Sequence, residues 1–355
     1  MLENRMLLTR QQDISAVLAR NLPWNQFSGQ RVLVTGASGF LGGYLARTLL
    51  ALHPLGKVQQ PVHVVAMVRD SDKGRRQLAD VLGNRHITIQ QCDLSTASVA
   101  DIGHCNYVLH AASQASPRFY GVDPIGTLLP NAIGTAALLQ ALQRSPDPHG
   151  LLFISSSEVY GARSNDLSLH ESSYGTVDPT VVRSCYAEGK RFGEALCTAW
   201  FHQHKLPTYI VRPFHTYGPG LQQEDGRVFA DFAFNIVRGE NITVTSDGSA
   251  RRVFCYVSDA VAGFFAVLLA GEPATAYNVA NSAADLSVMQ LAQLLVDLYP
   301  EKRLQVEQRM IAANSRQLPS MVSHIVPDTS RLTGLGWRAD VDPAAGFRRM
   351  IEAYG

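Results

Sequence analysis

A short β-branched run, Arg31–Thr35 (RVLVT), leads straight into Gly36-Ala37-Ser38-Gly39-Phe40-Leu41-Gly42, and an apolar helical pattern follows over residues 41–52. A glycine-rich turn between a strand and a helix does two things at once. Glycine lets the backbone come close to a pyrophosphate, and the helix start presents free N–H groups and the positive end of its dipole. The spacing is GxxGxxG, with Gly36, Gly39 and Gly42 as its glycines. Taken alone, such glycines need bind nothing. At the head of a strand–helix series they mark a nucleotide-cofactor site, with Gly36, Ser38, Gly39, Phe40, Leu41 and Gly42 against the phosphates.

That series is present. Further buried-strand runs fall at residues 62–68, Ile87–Gln91, Tyr107–His110 and 151–155, with helical patterns between them, notably at 41–52 and 133–144. Strands alternating with helices imply right-handed βαβ units and a parallel sheet covered on both faces. The alternation continues through a helix at 186–204 and a strand at 208–212 and then breaks. Turn residues dominate 213–249 around a helix at 228–239; a return strand follows at 277–279 and a one-sided helix at 287–299. The expected class is α/β: a doubly wound, Rossmann-type parallel sheet with a smaller C-terminal substrate lobe. The division reads as an N-terminal extension at 1–29, a cofactor-binding domain at 30–212 with about 256–281, and a substrate lobe from 213–255 and 282–355. Within the extension, Ile14, Val17 and Leu18 recur at helical spacing, so a short amphipathic helix packing on the body is expected.

Bulk properties narrow the partners. A formal net charge of +1 in 355 residues gives no pull toward nucleic acid or an acidic membrane, so neither is expected. Cys92, Cys105, Cys185, Cys197 and Cys255 show no CxxC spacing, which argues against a zinc site or a disulfide framework and for a reducing cytoplasm; no metal is expected. The start has polar residues where a secretion signal would be apolar. The richest apolar stretch, 260–270, falls short of the ~18 residues of a membrane helix and reads as a buried one.

The second strand ends Val64-Val65-Ala66-Met67-Val68-Arg69-Asp70. An acid at this place usually holds the adenosine ribose; Arg69 would instead pair with a 2′-phosphate and favour NADP, or be an ordinary strand-end charge. Asp93 in Cys92-Asp93-Leu94 either reaches the adenine edge or caps the next helix.

Tyr186-Ala187-Glu188-Gly189-Lys190 places a phenol and an ammonium on one helix face. The ammonium, with a positively charged nicotinamide, would favour phenolate and lower the tyrosine pKa, making Tyr186 a proton acceptor for a hydroxyl. Ser155-Ser156-Ser157-Glu158-Val159-Tyr160-Gly161 follows the fifth strand, at the carboxyl edge where open α/β sheets place ligands.

Together TGASGFLGG, HAAS (His110, Ala111, Ala112, Ser113), SSSEVYG, YAEGK and RPFHTYGP resemble the extended short-chain dehydrogenase/reductases, the NAD-dependent epimerase/dehydratase family that acts on nucleotide sugars. The resemblance runs from about Arg31 to the C-terminus. It implies NAD as cofactor, contacts from Leu94, Ala111, Ala112 and Ser113 beside those above, and a triad of Ser156, Tyr186 and Lys190, the last two also touching the cofactor. Within the family the pattern is most similar to the UDP-glucuronate decarboxylases: Ala115-Ser116-Pro117, Ser157-Glu158 before VYG, YAEGKR, Asp225-Gly226-Arg227-Val228, and Arg251-Arg252-Val253-Phe254. The family's 4,6-dehydratases carry Asp-Glu where this chain has Ser157-Glu158. Two positions depart from the decarboxylase pattern: His215 stands in place of asparagine, and Gly220 in place of an arginine after the GP dipeptide.

The implied chemistry is oxidation of the sugar at C4 by Tyr186 and Ser156 with Lys190, decarboxylation at C5 with Ser157 and Glu158 at the carboxylate, and re-reduction. Ser116, His215, Arg227 and Arg252 are the expected contacts of a nucleoside-diphosphate sugar, with Arg252 on the diphosphate. A 4-epimerase or 4-ketoreductase would use the same triad. A non-catalytic NAD(P)-sensing regulator would have no need of a poised tyrosine. A homodimer is expected through the helices at 133–144 and 186–204, with apolar surface drawn from Leu138, Leu139, Leu142, Leu196 and Trp200, some of which must face the sheet instead.

Overall fold

The protein is described by a computed structural model over residues 2–162, 168–309 and 326–355. Five strands, β1 (Arg31–Thr35), β2 (His63–Val68), β3 (Ile87–Gln91), β4 (Tyr107–His110) and β5 (Gly150–Ile154), lie within a residue of the apolar runs that predict them. The strands Thr208–Pro213 and Ala276–Val279 complete a seven-stranded sheet. Its order is Ala276–Val279, Thr208–Pro213, β5, β4, β1, β2, β3. Every pairing in it is parallel. The chain runs outward from β1 to β3, then crosses back to β4 on the other side of β1. That reversal opens a crevice at the carboxyl ends of β1 and β4, where doubly wound sheets bind ligands. Thr35 and His110 pin its floor: Thr35 Oγ1 lies 2.8 Å from His110 Nδ1 and accepts from the Ala112 amide at 3.1 Å.

Strand alternation divides the core. Val32, Val34, Val64 and Ala66 face one side, under α2 (Phe40–Ala51) and the helix Val257–Ala270. Leu33, Val65 and Met67 face the other, under the helices that follow β4 and β5. The helix Val257–Ala270 is buried along nearly its whole length, as its unbroken apolar composition requires.

Three features differ from the sequence expectation. The N-terminal helix, α1 (Leu2–Leu18), is 17 residues long rather than short. It does pack through Ile14, Val17 and Leu18, and its buried Asp13 accepts hydrogen bonds from Tyr44 Oη at 2.8 Å and Tyr256 Oη at 3.1 Å. The helix expected at 133–144 starts a full two turns earlier. Pro124–Leu129, capped by Asp123, passes through a π turn at Pro130–Gly134 into Thr135–Gln143. Pro130 has no N–H to continue an ordinary α-helix, which accounts for both the wide turn and the broken sequence pattern. Among the described residues this run, not 260–270, is the one long and apolar enough to cross a membrane by length and composition, yet more than half of it is buried inside the fold. Finally, of the five apolar residues offered for a dimer surface, Leu138, Leu139 and Leu142 are the ones that face the sheet and are fully buried, while Leu196 and Trp200 are half-buried. The exposed apolar residues on these helices are Ile125, Ile133 and Phe192.

Beyond the main sheet, His215–Tyr217, Arg251–Tyr256 and Asp285–Ser287 form a three-stranded sheet over the crevice. Helices Val228–Arg238, Val288–Asp297 and Pro343–Glu352 pack against it and one another. Asp259, at the start of the helix Val257–Ala270, joins both ends of the chain to the body. Its carboxylate takes Arg20 Nη2 at 2.9 Å and the amides of Asp340 and Val341 at 3.1 and 2.9 Å, and its carbonyl takes the Trp337 indole at 2.9 Å.

Candidate active site

At the carboxyl edge of the sheet lies a cavity of about 1140 Å³, and every site residue expected from the sequence lines it. Its β1 end is the glycine turn. Gly36 adopts φ +64°, and a Cβ there would fall 2.8 Å from Ala112 Cα; a Cβ on Gly42 would fall 2.3 Å from Gly36 O. No side chain is tolerated at either place without moving backbone. The first intrahelical acceptor is reached only by Gly43 N, which bonds Gly39 O at 2.9 Å, so the amides of Phe40, Leu41 and Gly42 point toward the cavity mouth. A turn stripped of side chains, with unpaired amides at a helix start, suits the pyrophosphate of a dinucleotide.

Farther along, Arg69 is exposed at the end of β2, where no acid faces the cavity. Its neighbour Asp70 accepts from Lys73 N at 2.9 Å and caps the next helix. Asp93 both lines the cavity and accepts from Ser95 N at 2.9 Å, so it closes a turn instead of capping a helix. Ser113 accepts from Asn131 Nδ2 at 3.0 Å. Ser116 donates to the carbonyl of Asp225 and Arg118 to that of Glu224, which ties the loop after β4 to the loop before the helix Val228–Arg238.

The catalytic candidates converge under these loops. Ser156 lies just past the end of β5 and accepts from Glu158 N at 3.2 Å; its hydroxyl is near enough to the Tyr186 phenol to favour the phenolate. Lys190, one helical turn beyond Tyr186, places Nζ 5.8 Å from the Tyr186 ring centre and donates to Ile154 O at 2.6 Å. The expected lowering of the Tyr186 pKa is not found in the chain by itself. Burial pushes Tyr186 up to about 12, with Ser156, Arg227 and Arg183 opposing and Glu158 adding to the rise. Burial likewise brings Lys190 down to about 7.

Two residues that sequence reasoning missed complete this end. Tyr120 stacks on Tyr186, ring centres 5.0 Å apart at 14°. Arg183 is buried over the Tyr120 ring at 4.7 Å and donates from Nη2 to Glu158 Oε1 at 2.9 Å. Its Nε and Nη1 have no hydrogen-bond partner. The spacing of Arg183, Tyr186 and Lys190 was a helical-face signal that could have identified Arg183.

The remaining wall is basic. Arg227 forms a fork on Asp225, with Nη2 to Oδ2 at 2.8 Å. Arg252 Nη1 donates to Arg251 O at 2.7 Å. His215 lies between elements carrying these arginines; burial and both cations hold it down to about 3, so it is neutral, and its Nδ1 has no partner. Gly220, with φ +99°, leaves a space that Arg10 of α1 enters.

The profile of the NAD dependent epimerase/dehydratase family matches residues 32–280. The chain is 32% identical to UDP-glucuronic acid decarboxylase 6 of Arabidopsis thaliana over 332 residues, 92% of this chain and 89% of the relative. The fold resembles UDP-glucose 4-epimerase of Thermotoga maritima, solved with UDP-glucose, at a TM-score of 0.75 and 20% identity, covering 91% of this chain and 98% of that one. It also resembles UDP-glucuronic acid 4-epimerase of Bacillus cereus, solved with UDP-glucuronic acid and NAD. That likeness has a TM-score of 0.73 at 21% identity and covers 91% and 98% of the two chains. At such identities the structural likeness speaks for the fold.

Proposed function

The chain belongs to the NAD dependent epimerase/dehydratase family, and on that premise we propose that it decarboxylates a nucleoside-diphosphate glucuronate, UDP-glucuronate first among candidates, through oxidation at C4. The glycine turn and the first amides of α2 would hold the cofactor pyrophosphate, and Lys190 with Tyr186 its nicotinamide ribose. When bound, the nicotinamide supplies a hydride acceptor that later returns the hydride, so the cycle has no net redox change.

The chain's own residues do the rest. Ser156 holds the sugar 4-hydroxyl against Tyr186, which takes its proton; Tyr120, stacked on the phenol, keeps water from its face. Oxidation at C4 makes the C5 carboxylate that of a β-keto acid. Carbon dioxide then leaves with its bonding electrons passing into an enolate, which is reprotonated at C5. Ser157 and Glu158 stand at this end, with Glu158 oriented by Arg183. Arg252, Arg227, His215 and Ser116 would face the nucleoside diphosphate, as donors toward an anion.

The observation that carries decarboxylation is the Glu158–Arg183 pair set beside the triad, since plain epimerisation or ketoreduction requires no carboxylate-handling group there. The decarboxylase relative over nine-tenths of the chain supports it. The departure at His215 favours a 4-epimerase or 4-ketoreductase as second reading. A non-catalytic NAD(P)-sensing role is the less economical reading, given an intact Ser156, Tyr186 and Lys190. Arg69, with Lys73 in the same cavity, supports NADP over NAD. We further propose a cytoplasmic homodimer pairing through Ile125, Ile133 and Phe192.

Incubating the protein with UDP-glucuronate and cofactor and trapping carbon dioxide tests the reading. Carbon dioxide equal to substrate consumed, with no accumulation of reduced cofactor, is expected. Conversion to a uronate epimer without gas would replace decarboxylase by epimerase.

A further inference from the structure

Arg10 belongs to the N-terminal helix, which precedes the segment matched by the family profile. Its guanidinium nevertheless lines the same cavity as Gly36–Gly42 and Arg69. Asp13, one turn later on α1, fixes its direction through Tyr44 and Tyr256, and Ile14, Val17 and Leu18 hold the helix to the body. Arg10 Nη2 rests over Gly220: a Cβ there would meet it at 2.8 Å and the Phe40 ring at 3.6 Å. The Gly220 loop is held in place by its amide, which donates to Tyr354 Oη at 2.9 Å. Phe40 is the first residue of α2, so the cation stands beside the helix start that offers its free amides to the crevice.

The carboxylate nearest in influence to that cation, Asp80, is already committed to Arg47. The Arg10 side chain makes no hydrogen bond or ion pair among the described residues, whereas Arg47 next to it is satisfied by Asp80 and the carbonyls of Gly43 and Gln77. Burial and the nearby Arg47 disfavour its charge by more than Tyr44, Asp80 and Tyr354 favour it. Two guanidinium groups are thus brought together at a helix N-terminus, an arrangement that an anion between helix and arginine would stabilise.

We propose that Arg10 is a cofactor-binding residue: α1 delivers a guanidinium that closes over the pyrophosphate of the dinucleotide, making the N-terminal helix one wall of the cofactor site. This rests on the cofactor assignment above, and places the partner of Arg10 at the α2 end of the cavity, away from Arg227 and Arg252. The helix therefore shapes how tightly the cofactor is held.

The test is titration of NAD⁺, ADP-ribose and UDP into the full chain and into Arg10→Ala. NAD⁺ and ADP-ribose affinity should fall about 10- to 100-fold, the scale of a lost charge-assisted hydrogen bond, while UDP affinity and the melting temperature stay as in the parent. Arg10→Lys should recover part of the loss and serves as the readout if the alanine variant fails to fold. Unchanged NAD⁺ and ADP-ribose affinity in the variants overturns the proposal; so does a loss confined to UDP, which would assign Arg10 to the sugar nucleotide. If the parent chain itself binds UDP but neither NAD⁺ nor ADP-ribose, the cofactor assignment falls, and this is seen before any variant is made.

Discussion

Glu158 Oε1 accepts a hydrogen bond from Arg183 Nη2 at 2.9 Å, and the same guanidinium lies over Tyr120, the ring stacked on Tyr186. The carboxylate is thereby coupled to Tyr186 through one cation and one aromatic ring. Glu158→Gln removes the charge and keeps the shape. Under the decarboxylase reading its turnover should fall ~10²- to 10⁴-fold, the usual range for a positioned acid–base group. Cofactor affinity, measured by titration, should not change. Near-parental turnover on the true substrate would favour the epimerase or reductase reading.

At the other end of the cavity, Arg69→Asp should reverse cofactor preference. The parent should bind NADP⁺ more tightly than NAD⁺, and the variant should shift that ratio roughly tenfold or more toward NAD⁺, because a carboxylate repels a 2′-phosphate and accepts from a 2′-hydroxyl. Equal ratios in both proteins would remove Arg69 from cofactor selection and leave the fold untouched.

The phenol of Tyr186 should titrate at about 12 in the chain alone, because burial disfavours the phenolate. A positive charge close by stabilises the phenolate, so oxidised cofactor should lower that value and reduced cofactor should not. The ultraviolet difference between parent and Tyr186→Phe, followed with pH, reads this directly. A titration indifferent to the oxidation state would mean the nicotinamide does not stand beside Tyr186.

His215 links stability to acid. Folded, it is held down to about 3; unfolded, it takes up a proton near 6.5. The unfolded chain therefore binds more protons between these values, and the contribution of His215 to stability, complete above 6.5, erodes as pH falls toward 3. His215→Asn should flatten the denaturation profile in that window and leave it unchanged near pH 8. An equally steep acid limb in the variant would assign that loss to other groups, such as His110.

The sheet was legible because its strands are buried on both faces and read as unbroken Val, Leu and Ile runs between helical patterns. The convergence of Ser156, Tyr186 and Lys190 on one cavity was legible because Tyr186 and Lys190 share a helix face and Ser156 follows β5 at the carboxyl edge of the sheet. What escaped was contact between distant segments. Pro130 hid two turns of helix, and Arg183 lies just ahead of the helix it serves. Leu138, Leu139 and Leu142 carry no mark telling sheet face from outer face. Arg10 reaches the cavity through a helix whose angle depends on Asp13 meeting Tyr256, 243 residues away. No local pattern encodes such an encounter.

Asp259 bears on the order of events during synthesis. Its carboxylate is 1% exposed and takes partners from residue 20 and from residues 340 and 341. A nascent chain that has emerged only through the helix Val257–Ala270 must leave that charge in water, because burying it half-compensated is strongly unfavourable. Six of the seven strands can pair at that stage, yet the docking site of the N-terminal segment at Tyr256 and Asp259 is finished only when residues 340 and 341 arrive. Residue 20, made long before its neighbours at 340 and 341, is thus held back until they arrive.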